Sequence, residues 1–143
     1  MNAKEIEGII TRIVKDFSHL MPGLSVQFMK TKAYRARVVG RTAQPGPGSQ
    51  DIMPPLYPLQ SEPKTNRLLI CTEEVNALLA REAPELRTAM VEGLILNEIL
   101  FLAVSRSGEP DPRAKAEEIL CRYWPLQYAT IFGRKLLSPN SSE

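Results

Sequence analysis

The sequence predicts a single α+β domain, in which a small three-stranded sheet packs on a hydrophobic central helix and further helices lie at both ends. Three observations lead to this prediction. Apolar residues recur at three- and four-residue steps in the first twenty residues and again in the C-terminal half, which indicates amphipathic helices. Two short segments after the first helix alternate apolar and polar residues, which is typical of strands. A short, wholly apolar run then precedes the C-terminal helices.

Length and composition agree with this class. The chain has 143 residues, of which 43% are apolar and 24% are charged, values typical of a soluble globular protein with one core. They exclude a disordered chain, a collagen-like repeat and a coiled-coil rod. The net charge of +2 is too small to indicate a nucleic-acid-binding protein by itself.

The first elements follow from local patterns. A helix is predicted from a series of seven apolar side chains in the first twenty residues, and Pro22-Gly23 should end it, since proline cannot continue the backbone hydrogen-bond ladder. The alternation over 24–29 predicts a first strand, and that over 34–39 predicts a second, with Arg35 and Arg37 on one face. The apolar series comprises Ile6, Ile9, Ile10, Ile13, Val14, Phe17 and Leu20.

Residues 42–66 change character, because six prolines and several glycines and serines fall among them. Proline removes a backbone donor and fixes φ, so we predict one long irregular loop. Irregular loops of this length in a compact domain are usually functional or mobile. A solvated linker would not need the apolar side chains that interrupt it, which are Ile52, Met53, Leu56, Tyr57 and Leu59. We therefore expect the loop to lie on the domain or to bind a partner.

The segment 67–71 predicts a third strand that is buried on both faces. Thr72 should cap a short helix, with acids in its first turn. The next helix, from about Pro84 to Ser105, is apolar nearly all round from Met90 onward, and this predicts a central helix covered on several sides. Its longest apolar stretch is interrupted by Asn97 and Glu98, so we expect it to be too short and too polar to span a bilayer.

The C-terminal residues predict two more helices. Asp111 should cap a helix that begins at Pro112, and Pro125 should break or kink it. The apolar pattern then continues through Tyr128, Ile131, Phe132, Leu136 and Leu137, and residues 138–143 should fray.

The residue types that most catalytic and metal sites need are scarce. The chain has one histidine, His19, and two cysteines, Cys71 and Cys121, fifty residues apart. This spacing matches no zinc, haem or iron–sulfur arrangement, and no phosphate-binding glycine loop or nucleophile elbow is present in the sequence. We predict no metal, no cofactor, reduced thiols and no enzyme activity. The N-terminus has no apolar signal region, and we predict a cytoplasmic protein.

Glu98 is the residue that most favours a catalytic interpretation. A carboxylate within so apolar a helix needs a partner or must become neutral. It would act either as a general base or as half of a buried ion pair, with an arginine as its partner, and the ion pair is the interpretation we favour. Asn97 beside it would satisfy backbone groups or bind a substrate.

The order of the elements, with Glu98 inside the apolar helix, resembles the core of small zincin-like metallopeptidases. Their central helix carries His-Glu-x-x-His, in which two histidines hold zinc and the glutamate activates water. The matching residues here are 97–101, where Asn97 and Phe101 replace both histidines and only Glu98 is kept. Glu117 or Glu118 would take the place of a third, acidic ligand. The resemblance covers residues 1–41 and 67–124 and implies a degenerate core that has lost its chemistry.

We therefore predict a non-catalytic protein-binding module, an adaptor, inhibitor or regulator. Its surfaces would be the apolar side chains of the proline-rich loop and a basic strand that carries Arg35 and Arg37, with anchors that enter a partner's pocket and charges that steer association. Two alternatives stay open: a hydrolase centred on Glu98, and a nucleic-acid accessory protein that uses the basic strand at 30–41. A homodimer through the central helix is a further alternative; no membrane contact is expected.

Overall fold

The computed structural model describes residues 1–19, 21–39 (the side chains of 38 and 39 apart), 58–62 and 64–132. These residues form an α+β fold, as predicted. The elements in chain order are α1 (Ala3–Asp16), β1 (Ser25–Met29), α2 (Thr31–Val39), β2 (Leu59–Glu62), β3 (Arg67–Cys71), α3 (Thr72–Leu79), a 3₁₀ turn (Pro84–Leu86), α4 (Arg87–Arg106), α5 (Pro112–Tyr123) and α6 (Pro125–Phe132).

The sheet is mixed, with strand order β1-β3-β2. β1 runs parallel to β3, and β2 runs antiparallel to it. The central strand β3 is buried on both faces, as predicted. Leu68 and Ile70 belong to the main core, whereas Leu69 and Cys71 form a second, smaller core with Tyr34 of α2.

Helix α1 is confirmed and has a complete capping box. Asn2 Oδ1 accepts from the Glu5 N–H at 2.9 Å, and Glu5 Oε1 accepts from the Asn2 N–H at 2.9 Å, so two N-terminal donors are satisfied reciprocally. Ile6, Ile10 and Ile13 are buried on one face of the helix. The chain then turns through Gly23, whose φ of 85° suits glycine.

The predicted second strand at 34–39 is wrong, because this segment is helix α2. Its first turn is capped from a distance: Glu73 Oε1 accepts from the Thr31 N–H at 2.9 Å and from the Thr31 hydroxyl at 2.7 Å. Both hydrogen bonds lower the pKa of Glu73 below its ordinary value of 4.5, and the bond from the Thr31 hydroxyl has the larger effect. Tyr34, fully buried, anchors the helix. The basic strand predicted at 30–41 is therefore a helix where it is described, held by these distant contacts in a segment whose lysine, alanine and arginine residues are compatible with helix.

The third strand of the sheet comes from within the predicted irregular loop at 42–66. Residues 59–62 form β2, between Pro58 and position 63, so both prolines flank the strand and neither removes one of its internal donors. The Pro58 carbonyl accepts from the Cys71 N–H at 3.0 Å. Asn66, with φ of 52°, closes the turn into β3. The remainder of the predicted loop, 42–57, and the predicted frayed tail at 138–143 lie outside the described residues.

Helix α4 is the central helix, as predicted. It packs against α1, α5, α6 and β2, and its residues from Gly93 to Leu102 are all buried. By length and composition, Pro84–Arg106 is long and apolar enough to cross a membrane, contrary to our expectation. Two thirds (67%) of the apolar 18-residue stretch within it is buried inside the fold, which is consistent with the core helix of a soluble protein.

Of the three helix boundaries predicted at Thr72, Asp111 and Pro125, the structure confirms the last two. Asp111 Oδ1 accepts from the Ala114 N–H at 3.2 Å at the start of α5, and α5 and α6 are separate helices that meet before Pro125. The cap predicted at Thr72 is wrong: its hydroxyl donates instead to Glu7 of α1 at 3.1 Å.

Candidate functional site

A buried ion pair joins Glu98 of α4 to Arg113 of α5 in the interior of the fold. Glu98 is fully buried, and its two oxygens accept from Arg113 Nη1 at 2.8 Å and Nη2 at 2.9 Å. The guanidinium carbon lies 3.9 Å from the centroid of the Phe101 ring. This bidentate, ring-stacked geometry is the one for which arginine is best suited. The ion-pair interpretation of Glu98 is therefore the one the structure supports.

The pair changes what Glu98 can do chemically. A carboxylate withdrawn from solvent, with a guanidinium on both oxygens, is not positioned to activate a water molecule. Phe101, at the position of the second zinc histidine in the zincin pattern, supports the arginine instead. Within the described ranges, no three His, Cys, Asp or Glu side chains come together as metal ligands would.

Glu117 and Glu118, the acids considered as a third metal ligand, have other contacts on α5. Glu117 accepts from the Tyr128 hydroxyl at 3.2 Å, and this hydrogen bond raises the pKa of Tyr128. Glu118 lies 3.7 Å from Lys115. With the exposed Cys121 they line an open cleft of about 420 Å³.

The two arginines predicted to bind a partner have intramolecular acids. Arg35 Nη2 lies 3.1 Å from Glu74 Oε2. Arg37 Nη2 lies 2.9 and 3.2 Å from the two oxygens of Glu62, which is itself buried. Both side chains therefore tie α2 to neighbouring elements, and their positive charge is balanced by these acids.

The predicted apolar anchors do not form a described surface. Leu59 is 1% exposed and belongs to the main core, so the expectation that it faces a partner is wrong. Ile52, Met53, Leu56 and Tyr57 lie outside the described residues.

An apolar surface that sequence reasoning missed lies where α5 meets α6. Tyr123 is 64% exposed, Leu126 is 55% exposed and Phe132 is 43% exposed. Pro125 and Ala129 are exposed as well, so every exposed residue of α6 is apolar. We call these five residues the elbow surface. A signal was present in the sequence: 125–132 contains no charged residue, so whichever face of this helix meets solvent is free of charge.

A cleft of about 310 Å³ adjoins the elbow surface through Trp124. One wall is the aromatic pair Phe17–Trp124, with ring centroids 6.1 Å apart. The lining also includes Arg12, Asp16 and Glu92. Two carboxylates face one guanidinium, so the cleft has a net negative charge.

The charged groups of this cleft are held differently. Glu92 accepts from Arg12 Nη2 at 3.2 Å and from Gln127 Nε2 at 3.1 Å. The Arg12 side chain is 58% exposed, so this pair is screened by solvent. Asp16 is exposed at the C-terminal end of α1, where the helix dipole disfavours an anion. No cation of the described chain pairs with it. An incoming cation would therefore meet the available carboxylate of Asp16 and the carboxylate of Glu92, which forms a solvent-exposed pair with Arg12.

No protein-family model, curated protein or solved structure matches the chain. The resemblance to a degenerate zincin-like core therefore stays a prediction.

Proposed function

We propose that this chain is a non-catalytic protein-binding module that docks a partner on the elbow surface. The observation that carries the proposal is that every exposed side chain of α6 is apolar and that Tyr123 beside it is 64% exposed. Contiguous apolar residues on a soluble domain are typical of interaction sites. Tyrosine is among the residues that most often supply binding energy when they enter a partner's pocket, together with tryptophan and arginine.

The neighbouring cleft indicates the chemistry of the partner. Its net negative charge and its aromatic wall suit an arginine or lysine side chain, whose stem would lie on Phe17 and Trp124 while its cation faces Asp16. The partner would thus present an apolar pocket with a basic residue beside it. Electrostatic steering by Asp16 and Glu92 would speed association, and the effect would weaken with added salt.

The two alternative functions have less support. A hydrolase centred on Glu98 needs an accessible carboxylate, and this one is fully buried in a bidentate ion pair. A nucleic-acid protein needs uncompensated cations on one face, and Arg35 and Arg37 have acidic partners. The exposed, unpaired thiol of Cys121 suits a reducing compartment, and we place the proposed activity in the cytoplasm.

The test compares two variants that each put a carboxylate at an exposed apolar position on a helix. Leu126→Glu alters the elbow surface, and Ala77→Glu on α3 is the control. The wild-type chain and both variants are used to capture partners from the cells in which the protein is expressed. The captured partner is then purified and mixed separately with wild type, Leu126→Glu and Ala77→Glu. We expect a direct complex with wild type and with Ala77→Glu, and at least a tenfold weaker one, about 1.4 kcal/mol, with Leu126→Glu.

A second arm tests the cleft. Asp16→Lys should weaken the same complex and reduce its dependence on salt. A partner that binds Leu126→Glu and Ala77→Glu equally well would contradict the elbow surface. In the same assay, loss of binding with Leu56→Ala/Tyr57→Ala alone would move the site to the proline-rich segment.

A further inference from the structure

The outer edge of β1 carries backbone groups with no partner in the described part of the chain. The Ser25 N–H donates to the Asn66 carbonyl beside β3 at 3.0 Å, so Ser25 directs its backbone groups toward β3. Successive residues of a strand direct their N–H and C=O to opposite sides. Val26 and Phe28 therefore direct two N–H and two C=O groups away from the sheet.

Of the usual protections against another strand, this edge has only its short length. Natural edge strands carry charged residues, proline or a bulge, or are covered by another element. Residues 25–29 contain no charge and no proline, and β1 pairs in unbroken register with β3. Among the described elements, β1 packs extensively only against β3, and α2 packs on β3 and α3. Phe28 is 37% exposed beside it.

We propose that a second copy of this chain pairs with the β1 edge, antiparallel, to form a continuous six-stranded sheet across a two-fold axis at Gln27. In this register Val26 of each copy faces Phe28 of the other, and the outward backbone groups form four hydrogen bonds. Val26 and Phe28 lie opposite Leu68 and Ile70 in the sheet, so both side chains are on the face of the main core. The dimer thus joins an aromatic to a β-branched side chain twice, a favourable cross-strand pair.

The occupant is a second copy because the edge is complementary to itself. The two residues with outward backbone groups lie symmetrically about Gln27, and β1 itself carries no charged side chain. Arg67 of β3, whose Nη1 donates to Gln27 Oε1 at 3.4 Å, brings a charged group close to the axis. Lys30, just beyond the strand, would lie opposite Leu24 of the second copy. Such a short edge gives a small interface, so association should depend on protein concentration.

Cysteine trapping tests the register in the full-length chain with Cys121→Ser, which removes the exposed native thiol. At the axis the two Gln27 residues form a non-hydrogen-bonded pair about 4.5 Å apart between Cα atoms, which allows a disulfide. The control is the equally exposed Ser25→Cys, whose copies would lie about 13 Å apart, beyond disulfide reach. We expect a covalent dimer from Gln27→Cys under mild oxidation and none above background from Ser25→Cys.

Two further variants separate this proposal from the elbow surface. Phe28→Lys in the Gln27→Cys chain should reduce cross-linking to the level of the control, whereas Leu126→Glu should leave it unchanged. Sedimentation of the wild-type chain should show a mass that rises reversibly with concentration. Equal cross-linking of the two cysteine variants, loss of the dimer with Leu126→Glu, or a wild-type chain that stays monomeric at millimolar concentration would overturn the proposal. If the wild-type chain stays monomeric, the β1 edge would instead be available to a strand of another protein.

Discussion

At the scale of single residues, Glu98 decides most about function. A fully buried carboxylate is tolerated only because Arg113 supplies two hydrogen bonds and a compensating charge. The need for such a partner was predictable from the apolar helix around Glu98. The identity of the partner was not, because Arg113 belongs to the next helix, and only the packing of α5 on α4 brings the two together.

Removal of one partner of this pair should be costly. Arg113→Met leaves the carboxylate of Glu98 buried and uncompensated, and we expect a loss of about 3 kcal/mol in the free energy of unfolding. Urea denaturation measures it. The exposed pair of Arg12 and Glu92 gives the control, since Arg12→Met should cost less than about 1 kcal/mol.

Adding Glu98→Leu to Arg113→Met should recover at least half of the loss, because the uncompensated charge is then gone. If Arg113→Met costs no more than Arg12→Met, the pair of Glu98 and Arg113 does not stabilise the fold in the way proposed.

At the scale of elements, α6 depends on close contact with α4 at Gly93. A Cβ at this position would meet Ile131 Cγ2 at 2.8 Å and the Gln127 carbonyl oxygen at 2.9 Å. The glycine is therefore a packing requirement, because a backbone oxygen cannot move aside as a flexible side chain can. The docking of α6, and with it the elbow surface, follows from this contact.

Gly93→Ala should destabilise the fold by about 1–3 kcal/mol, even though alanine favours helix. The matched control is Gly8→Ala in α1, where a Cβ meets nothing within 4 Å. This second substitution should stabilise the protein by about 0.5–1 kcal/mol. Thermal or urea unfolding of both variants gives the comparison, and the same sign for both would contradict this account of α6.

At the scale of the whole molecule, the sheet separates two cores of unequal size. The main core lies between the sheet and the helices around α4, and the smaller one contains Tyr34, Leu69 and Cys71 under α2. Cys71 is fully buried there, with its Sγ 3.5 Å from the Thr31 hydroxyl oxygen. The thiol therefore reports whether α2 is in place.

A thiol reagent should modify one cysteine, Cys121, in the native protein and both after denaturation. Tyr34→Ala removes the anchor of α2, so Cys71 should react under native conditions as well. Ile10→Ala, equally deep in the main core, is the control and should leave Cys71 protected. A single reactive thiol in folded Tyr34→Ala would show that α2 does not protect the smaller core.

The sequence by itself determined the elements that depend on local patterns. The periodicity of α1, the all-round apolar surface of α4 and the break at Pro125 each arise within a few neighbouring residues, and the structure has them as predicted. The apolar run at 67–71 also identified a strand buried on both faces, since it is too short for a buried helix such as α4.

Tertiary structure alone decided the rest, because the deciding contacts are distant in sequence. Alternation over 34–39 cannot separate strand from helix, and the capping of Thr31 by Glu73, 42 residues away, favours the helix. The sheet recruited Leu59–Glu62 because β3 offered an edge for hydrogen bonding. The exposure of the elbow surface was decided in the same way. Which face of α6 meets solvent depends on how α6 packs on α4, and no local pattern encodes that non-local contact.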